Sequence, residues 1–150
     1  MKIAVGCDHG GVNLKNAVLE EIGKNKDYEI EDFGTYNEES VDYIVYAEKV
    51  AKAVQSGEYD RGLLFCGTGI GMSLVANKFK GIRAACCSDE FSAEFTRRHN
   101  DSNILCLGGR VVDDEKGIKL VKLFLETEFE GGRHLRRVDM IRDIENKNFK

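Results

Sequence analysis

Short apolar runs recur along this chain with longer amphipathic stretches between them, and that alternation restricts the fold more than any other feature. The runs Lys2–Cys7, Tyr28–Phe33, Arg61–Cys66, Arg83–Cys87 and Asn103–Leu107 have the length and apolar character of strands. Between them, Leu14, Ala17, Val18 and Ile22 follow the spacing of one helix face, as do Tyr43, Ala47, Val50, Ala51 and Val54. Strand, helix, strand in that rhythm is the βαβ pattern of a parallel sheet. The expected fold is therefore α/β: a single Rossmann-like domain over residues 1–150, with a five-stranded parallel sheet flanked by helices. Beyond Gly131-Gly132 an extra C-terminal helix is expected, with Leu135, Val138 and Ile141 as its apolar stripe on an arginine-rich segment. No repeat, low-complexity tract or linker interrupts the 150 residues.

A formal charge of -4 argues against a general nucleic-acid binder, which would show a net basic face. The amino-terminal MKIAVGCDHGG is neither a signal peptide nor a membrane span, and no later apolar run is long enough to cross a bilayer, so a cytoplasmic protein is expected. The five cysteines, Cys7, Cys66, Cys86, Cys87 and Cys106, are odd in number and lack metal-ligand spacing. They read as buried small hydrophobes in a reducing compartment, with Cys66 set apart by the glycine-rich loop after it.

In an open parallel sheet the ligand site lies beyond the carboxyl ends of the strands. Here the first strand exits into Asp8-His9-Gly10-Gly11, the third into Gly67-Thr68-Gly69-Ile70-Gly71 and the fifth into Gly108-Gly109-Arg110. The third loop presents backbone amides at the start of a helix, a place for an anion. It is neither a dinucleotide fingerprint, since Met72 stands where glycine is needed, nor a phosphate-binding P-loop, since the lysine is missing. A purely structural tight turn is the competing reading. Cys66 immediately precedes the loop, and a thiolate there would sit beside backbone donors. A base next to an anion hole suits proton abstraction beside a carbonyl.

His9, His99 and His134 all fall in polar clusters rather than on apolar stripes, the pattern of ordinary surface histidines. His99, just ahead of the fifth strand, is the best placed of them as a general acid or base, and His134 carries no assigned role. Arg133 and Arg137 are four apart on the expected last helix and project from one face, suited to a phosphate dianion. Salt bridges to Asp139 or Asp143 are the alternative.

Four blocks then carry a family resemblance: GCDHGG (6–11), CGTGIGMSLVANKFKGIRAA (66–85), RRHNDSNILCLGGRVV (97–112) and FEGGRHLRRV (129–138). The chain resembles the type B ribose-5-phosphate isomerases and the related galactose-6-phosphate isomerase subunits, enzymes of carbohydrate metabolism that include the pentose phosphate pathway. The resemblance implies a homodimer or homotetramer with sites shared between subunits, and neither metal nor organic cofactor. It implies Cys66 as the base that moves a proton between C2 and C1, Thr68 as its assistant and His99 as the group that opens the furanose ring. By the same resemblance Asp8, Tyr43 and Asn100 contact the sugar, and Gly67 and Gly71 hold the enediolate. His9, Arg110, Arg133 and Arg137 make the phosphate subsite. Met72 stands where relatives that lack the cysteine carry a glutamate, so the cysteine-dependent mechanism is implied. One departure is Ile44, where relatives commonly have proline after Asp42-Tyr43. Ribose 5-phosphate is the expected substrate; allose 6-phosphate, galactose 6-phosphate, or a non-catalytic sugar-phosphate-binding module are the alternatives.

Overall fold

A computed structural model of the chain describes residues 1–149. Five strands, β1 (Lys2–Cys7), β2 (Glu29–Asp32), β3 (Arg61–Cys66), β4 (Ala84–Cys86) and β5 (Ile104–Gly108), alternate with helices α1 (Val12–Ile22), α2 (Tyr43–Gln55), α3 (Ile70–Ala76), α4 (Glu90–Asn100) and α5 (Asp114–Glu126). The additional C-terminal helix is α6 (Arg133–Asn148). All strand pairs are parallel, in the order β2-β1-β3-β5-β4. β1 and β3 have the expected limits. The outer strands β2 and β4, paired on one side only, are shorter than their apolar runs.

The chain moves outward from β1 to β2 in one direction and from β1 to β3 in the other, so the winding reverses between β1 and β3. That reversal opens a crevice at the carboxyl ends of the two strands, where open α/β sheets bind ligands. β5 occupies the place between β3 and β4, which brings its own exit loop next to the crevice.

Side chains of the central strands are buried on both faces. Val5, Leu63, Phe65, Leu105 and Leu107 pack against α1 and α5 through Leu14, Val18, Leu120 and Phe124. On the other face Ala4, Leu64, Ile104 and Cys106 meet Val50, Ala51, Met72 and Ala76 of α2 and α3. Each large aliphatic residue so buried contributes about 1.5–3 kcal/mol. The fully buried Lys15 pins the segment after β2, its Nζ lying 2.8 Å from Asp32 Oδ2 and donating to the Thr35 carbonyl at 2.6 Å. The helix α2 starts at Tyr43 without a proline, and Ile44 is solvent-exposed on its first turn.

α6 departs from its expected orientation. It packs against α4, and its buried residues are His134 and Val138, while Leu135 and Ile141 are 42% and 41% exposed. A helix resting against another helix buries a narrower strip than one laid on a sheet face. Among the described residues no helix is long and apolar enough to cross a membrane.

Candidate active site

Three loops meet at the carboxyl edge of the sheet, and glycine lets their backbones touch. A Cβ on Gly10 would lie 3.0 Å from the Gly67 nitrogen, one on Gly109 2.5 Å from the Gly10 carbonyl oxygen, and one on Gly108 2.6 Å from the Thr68 carbonyl carbon. The exits of β1, β3 and β5 are thereby fused into one surface. Asp8, almost buried, accepts the Gly10 amide at 2.8 Å, which fixes its carboxylate in the first loop. His9 accepts the Val41 amide on Nδ1 at 3.2 Å, leaving Nε2 for a ligand.

Cys66 closes β3 at this junction, and its Sγ accepts the Gly69 amide at 3.0 Å. The turn that brings this amide round needs Gly69 at φ +81°, and Thr68 Oγ1 supports it by accepting the Ile70 amide at 3.2 Å. The other four cysteines differ. Burial pushes the thiols of Cys7 and Cys87 up to about 11 and that of Cys106 well above the ordinary thiol value, and Cys86 is raised by burial and by Cys66. Among the described residues none of these four sulfurs accepts a backbone amide. All five are free, but Cys86 is exposed rather than buried, because it ends the outermost strand.

Tyr43 and Arg110 complete this group. The Tyr43 ring lies over Gly71, 2.8 Å from where a Cβ would stand, and the Arg110 guanidinium lies over Gly67 at 3.0 Å by the same measure. Asp8, His9, Tyr43, Cys66, Gly67, Thr68, Gly71 and Arg110 thus share one edge of the sheet. Backbone amides and a guanidinium line this place, and the Cys66 sulfur adjoins them.

His99, Asn100, Arg133 and Arg137 lie elsewhere. α4 leaves the carboxyl edge beside Asp89, whose carboxylate caps it by accepting the Ser92 amide at 2.7 Å, and runs back for eleven residues, about 16 Å. His99 and Asn100 therefore stand at the amino edge, where the Asn100 carbonyl accepts from Arg83 Nε at 3.0 Å just ahead of β4. Asp101, at φ +49°, ends the helix and turns the chain into β5. Arg97 is structural: buried, it donates to Asp101 Oδ1 at 2.9 Å and to the Thr127 carbonyl at 3.1 Å.

The His99 ring stacks on His134 at 4.0 Å between centroids and meets Phe95 edge-on at 4.9 Å. His134 is buried by this contact, which its polar sequence surroundings conceal; its spacing of four from Val138 is the signal that could reveal it. Burial, followed by the nearby His99 and Arg133, holds the His134 imidazole below its ordinary 6.5. Glu130 faces both rings, and its ion pair with Arg98 Nε at 2.6 Å keeps the carboxyl below the usual range. Arg133 and Arg137 are exposed on the first turns of α6, and among the described residues neither has a carboxylate partner. Asp139 pairs with Arg142 instead, at 2.7 Å.

The ribose/galactose isomerase family model matches residues 3–141. The chain is 47% identical to ribose-5-phosphate isomerase B of Escherichia coli over 146 residues, 97% of each chain. Its fold superposes on the ribose-5-phosphate isomerase B of Clostridium thermocellum with a TM-score of 0.95 at 52% identity, covering 98% of this chain and 99% of that one. The Mycoplasma genitalium enzyme, solved with bound ribulose 5-phosphate, gives 0.93 at 40% identity, covering 98% and 97%. With a family match over residues 3–141 and relatives aligned over nearly its whole length, the chain belongs to the ribose/galactose isomerase family.

Proposed function

We propose that this protein interconverts ribose 5-phosphate and ribulose 5-phosphate, at a site assembled from two copies of the chain. The observation that carries the chemistry is Cys66 Sγ accepting the Gly69 amide where three strand exits fuse. In the first step His99 protonates the ring oxygen as the C1–O bond breaks and the anomeric hydroxyl gives up its proton to solvent, leaving the open-chain aldehyde. The Cys66 thiolate then removes the C2 proton, and the electron pair moves onto O1. Amides of Gly67 and Gly71 stabilise that oxyanion, the type of electrostatic support that dominates such reactions. Cys66 returns its proton to C1, Thr68 assists transfer between O1 and O2, and the ketose forms. Asp8, Tyr43 and Asn100 hold the sugar hydroxyls; His9, Arg110, Arg133 and Arg137 hold the phosphate.

The opposite placement of Cys66 and His99 supports a homodimer or homotetramer, because one copy cannot bring both to one sugar. Exposed Phe91 on α4 and Leu135, Met140 and Ile144 on α6 supply apolar surface near the His99 group of the kind interfaces cover. The free thiols fit a reducing, cytoplasmic setting.

Turnover by purified, EDTA-treated protein is compared for ribose 5-phosphate, allose 6-phosphate and galactose 6-phosphate. Preference for ribose 5-phosphate is expected. Preference for a hexose phosphate would contradict the substrate, and no turnover of any of the three would contradict the isomerase reading.

A further inference from the structure

We propose that Lys15 is a positioning residue of the site: its buried ammonium ties the segment after β2 to the end of β1, and through that segment it sets how His9 and Tyr43 meet the substrate. This rests on the reading of His9 as a phosphate ligand and Tyr43 as a sugar contact. Lys15 is fully buried, and an ammonium leaves water only where charge and hydrogen bonds replace the solvent. A methionine of similar length would fill the same space without that cost, so packing alone does not account for a lysine. Its Nζ lies 3.0 and 2.8 Å from the two Asp32 carboxylate oxygens, donates to the Thr35 carbonyl at 2.6 Å and stands 5.0 Å from the centroid of the Tyr36 ring.

All of these partners belong to one stretch, and that stretch is laid on the strand that opens the site. Asp32 Oδ1 also accepts the Gly34 amide at 2.9 Å. The Gly34 carbonyl accepts the Cys7 amide at 2.6 Å, and the Thr35 amide donates to the Cys7 carbonyl at 2.8 Å. Asp8 and His9 follow Cys7 directly. From Thr35 the chain runs on to Val41, steadied on the way by Asn13 Nδ2 donating to Glu38 Oε1 at 2.9 Å, and the Val41 amide reaches His9 Nδ1 at 3.2 Å. A ring nitrogen that accepts carries no proton, so neutral His9 holds its proton on Nε2, the form that donates to a phosphate oxygen. Just beyond Val41, Tyr43 begins α2 with its ring over Gly71. Without Lys15 the buried Thr35 carbonyl and the Asp32 carboxylate lose this donor, and the Val41 amide is no longer held at His9. Substrate is then gripped less well, while Cys66 on β3 keeps the Gly69 amide.

Lys15→Met removes the ammonium and keeps the length; the double variant Lys15→Met with Asp32→Asn also removes the carboxylate that the single variant leaves unpaired, and serves if the single variant does not fold. Urea unfolding establishes that the protein assayed is folded. In ribose 5-phosphate turnover KM is expected to rise at least about tenfold, with kcat within about threefold of the parent. Long-range proton–nitrogen NMR of substrate-free protein, with the His9 signals assigned by their loss in His9→Asn, should show a single tautomer protonated on Nε2 in the parent and a mixture in the variants. A merely structural lysine would lower the folded fraction, and with it kcat, and would leave KM alone. Unchanged KM, or a single Nε2-protonated tautomer kept in the variants, would overturn the proposal. The tautomer is read without substrate and the parent's turnover without any substitution, so failure of the Lys15 inference and failure of the isomerase reading are seen separately.

Discussion

His99 and His134 stack ring on ring, with centroids 4.0 Å apart and planes 8° from parallel. Burial, and after it the neighbouring His99 ring, holds the His134 imidazole below 6.5. Proton NMR should show His134 titrating below the ordinary histidine range. Replacing His99 with asparagine removes a charge and part of the cover, so the His134 midpoint should rise. An unchanged midpoint would mean that the stacking does not govern it.

The Gly69 turn tolerates no side chain. At φ +81° an L-residue is strained, and a Cβ would stand 2.9 Å from the Leu107 carbonyl carbon. Gly69→Ala should destabilise the fold by roughly 1–2 kcal/mol or more in urea unfolding and displace the amide that serves Cys66. Stability equal to the parent would show that the turn relaxes freely.

Cys7 and Cys87 make stability depend on alkaline pH. Burial lifts both thiols from about 9 to about 11, so the folded state holds protons that the unfolded state releases. Their contribution is complete below pH 9 and is lost as pH rises towards 11. Unfolding free energy should fall through that window, and substituting both residues with alanine should flatten the fall even if it lowers stability overall. An unaltered slope would contradict the assignment.

Arg137 is exposed and has no carboxylate partner among the described residues, so its charge is available to a phosphate. A charge-assisted hydrogen bond of about 1.5–3 kcal/mol corresponds to roughly a ten- to hundredfold loss of kcat/KM in Arg137→Ala. Binding remote from the reacting carbons places most of that loss in KM. Unchanged steady-state kinetics would remove the residue from the phosphate subsite.

The central strands are legible in the sequence because residues such as Leu63, Leu64 and Phe65 are buried on both sheet faces and read as one apolar run. The exit loops are legible because glycine and polar residues end those runs abruptly. The strand order is not, since β5 enters between β3 and β4 through long-range pairing that local pattern does not encode. The orientation of α6 is hidden for a related reason: its inward face is set by α4 and contains a polar residue, His134, that an apolar-stripe rule passes over. The separation of His99 from Cys66 is different, because chain order alone contains it. A residue just ahead of a strand belongs to the edge opposite the residues that end one, and His99 precedes β5 while Cys66 ends β3.

The central claim, that Cys66 of one copy works with His99 of another, is tested most directly by mixing two inactive variants. Cys66→Ala and His99→Asn are each expected to lose at least about a hundredfold in turnover of ribose 5-phosphate. When the two are unfolded together and refolded as random dimers, half the dimers are mixed and each of those has one intact site, so about one quarter of wild-type activity should return. Activity that stays at the level of the separate variants would contradict a shared site.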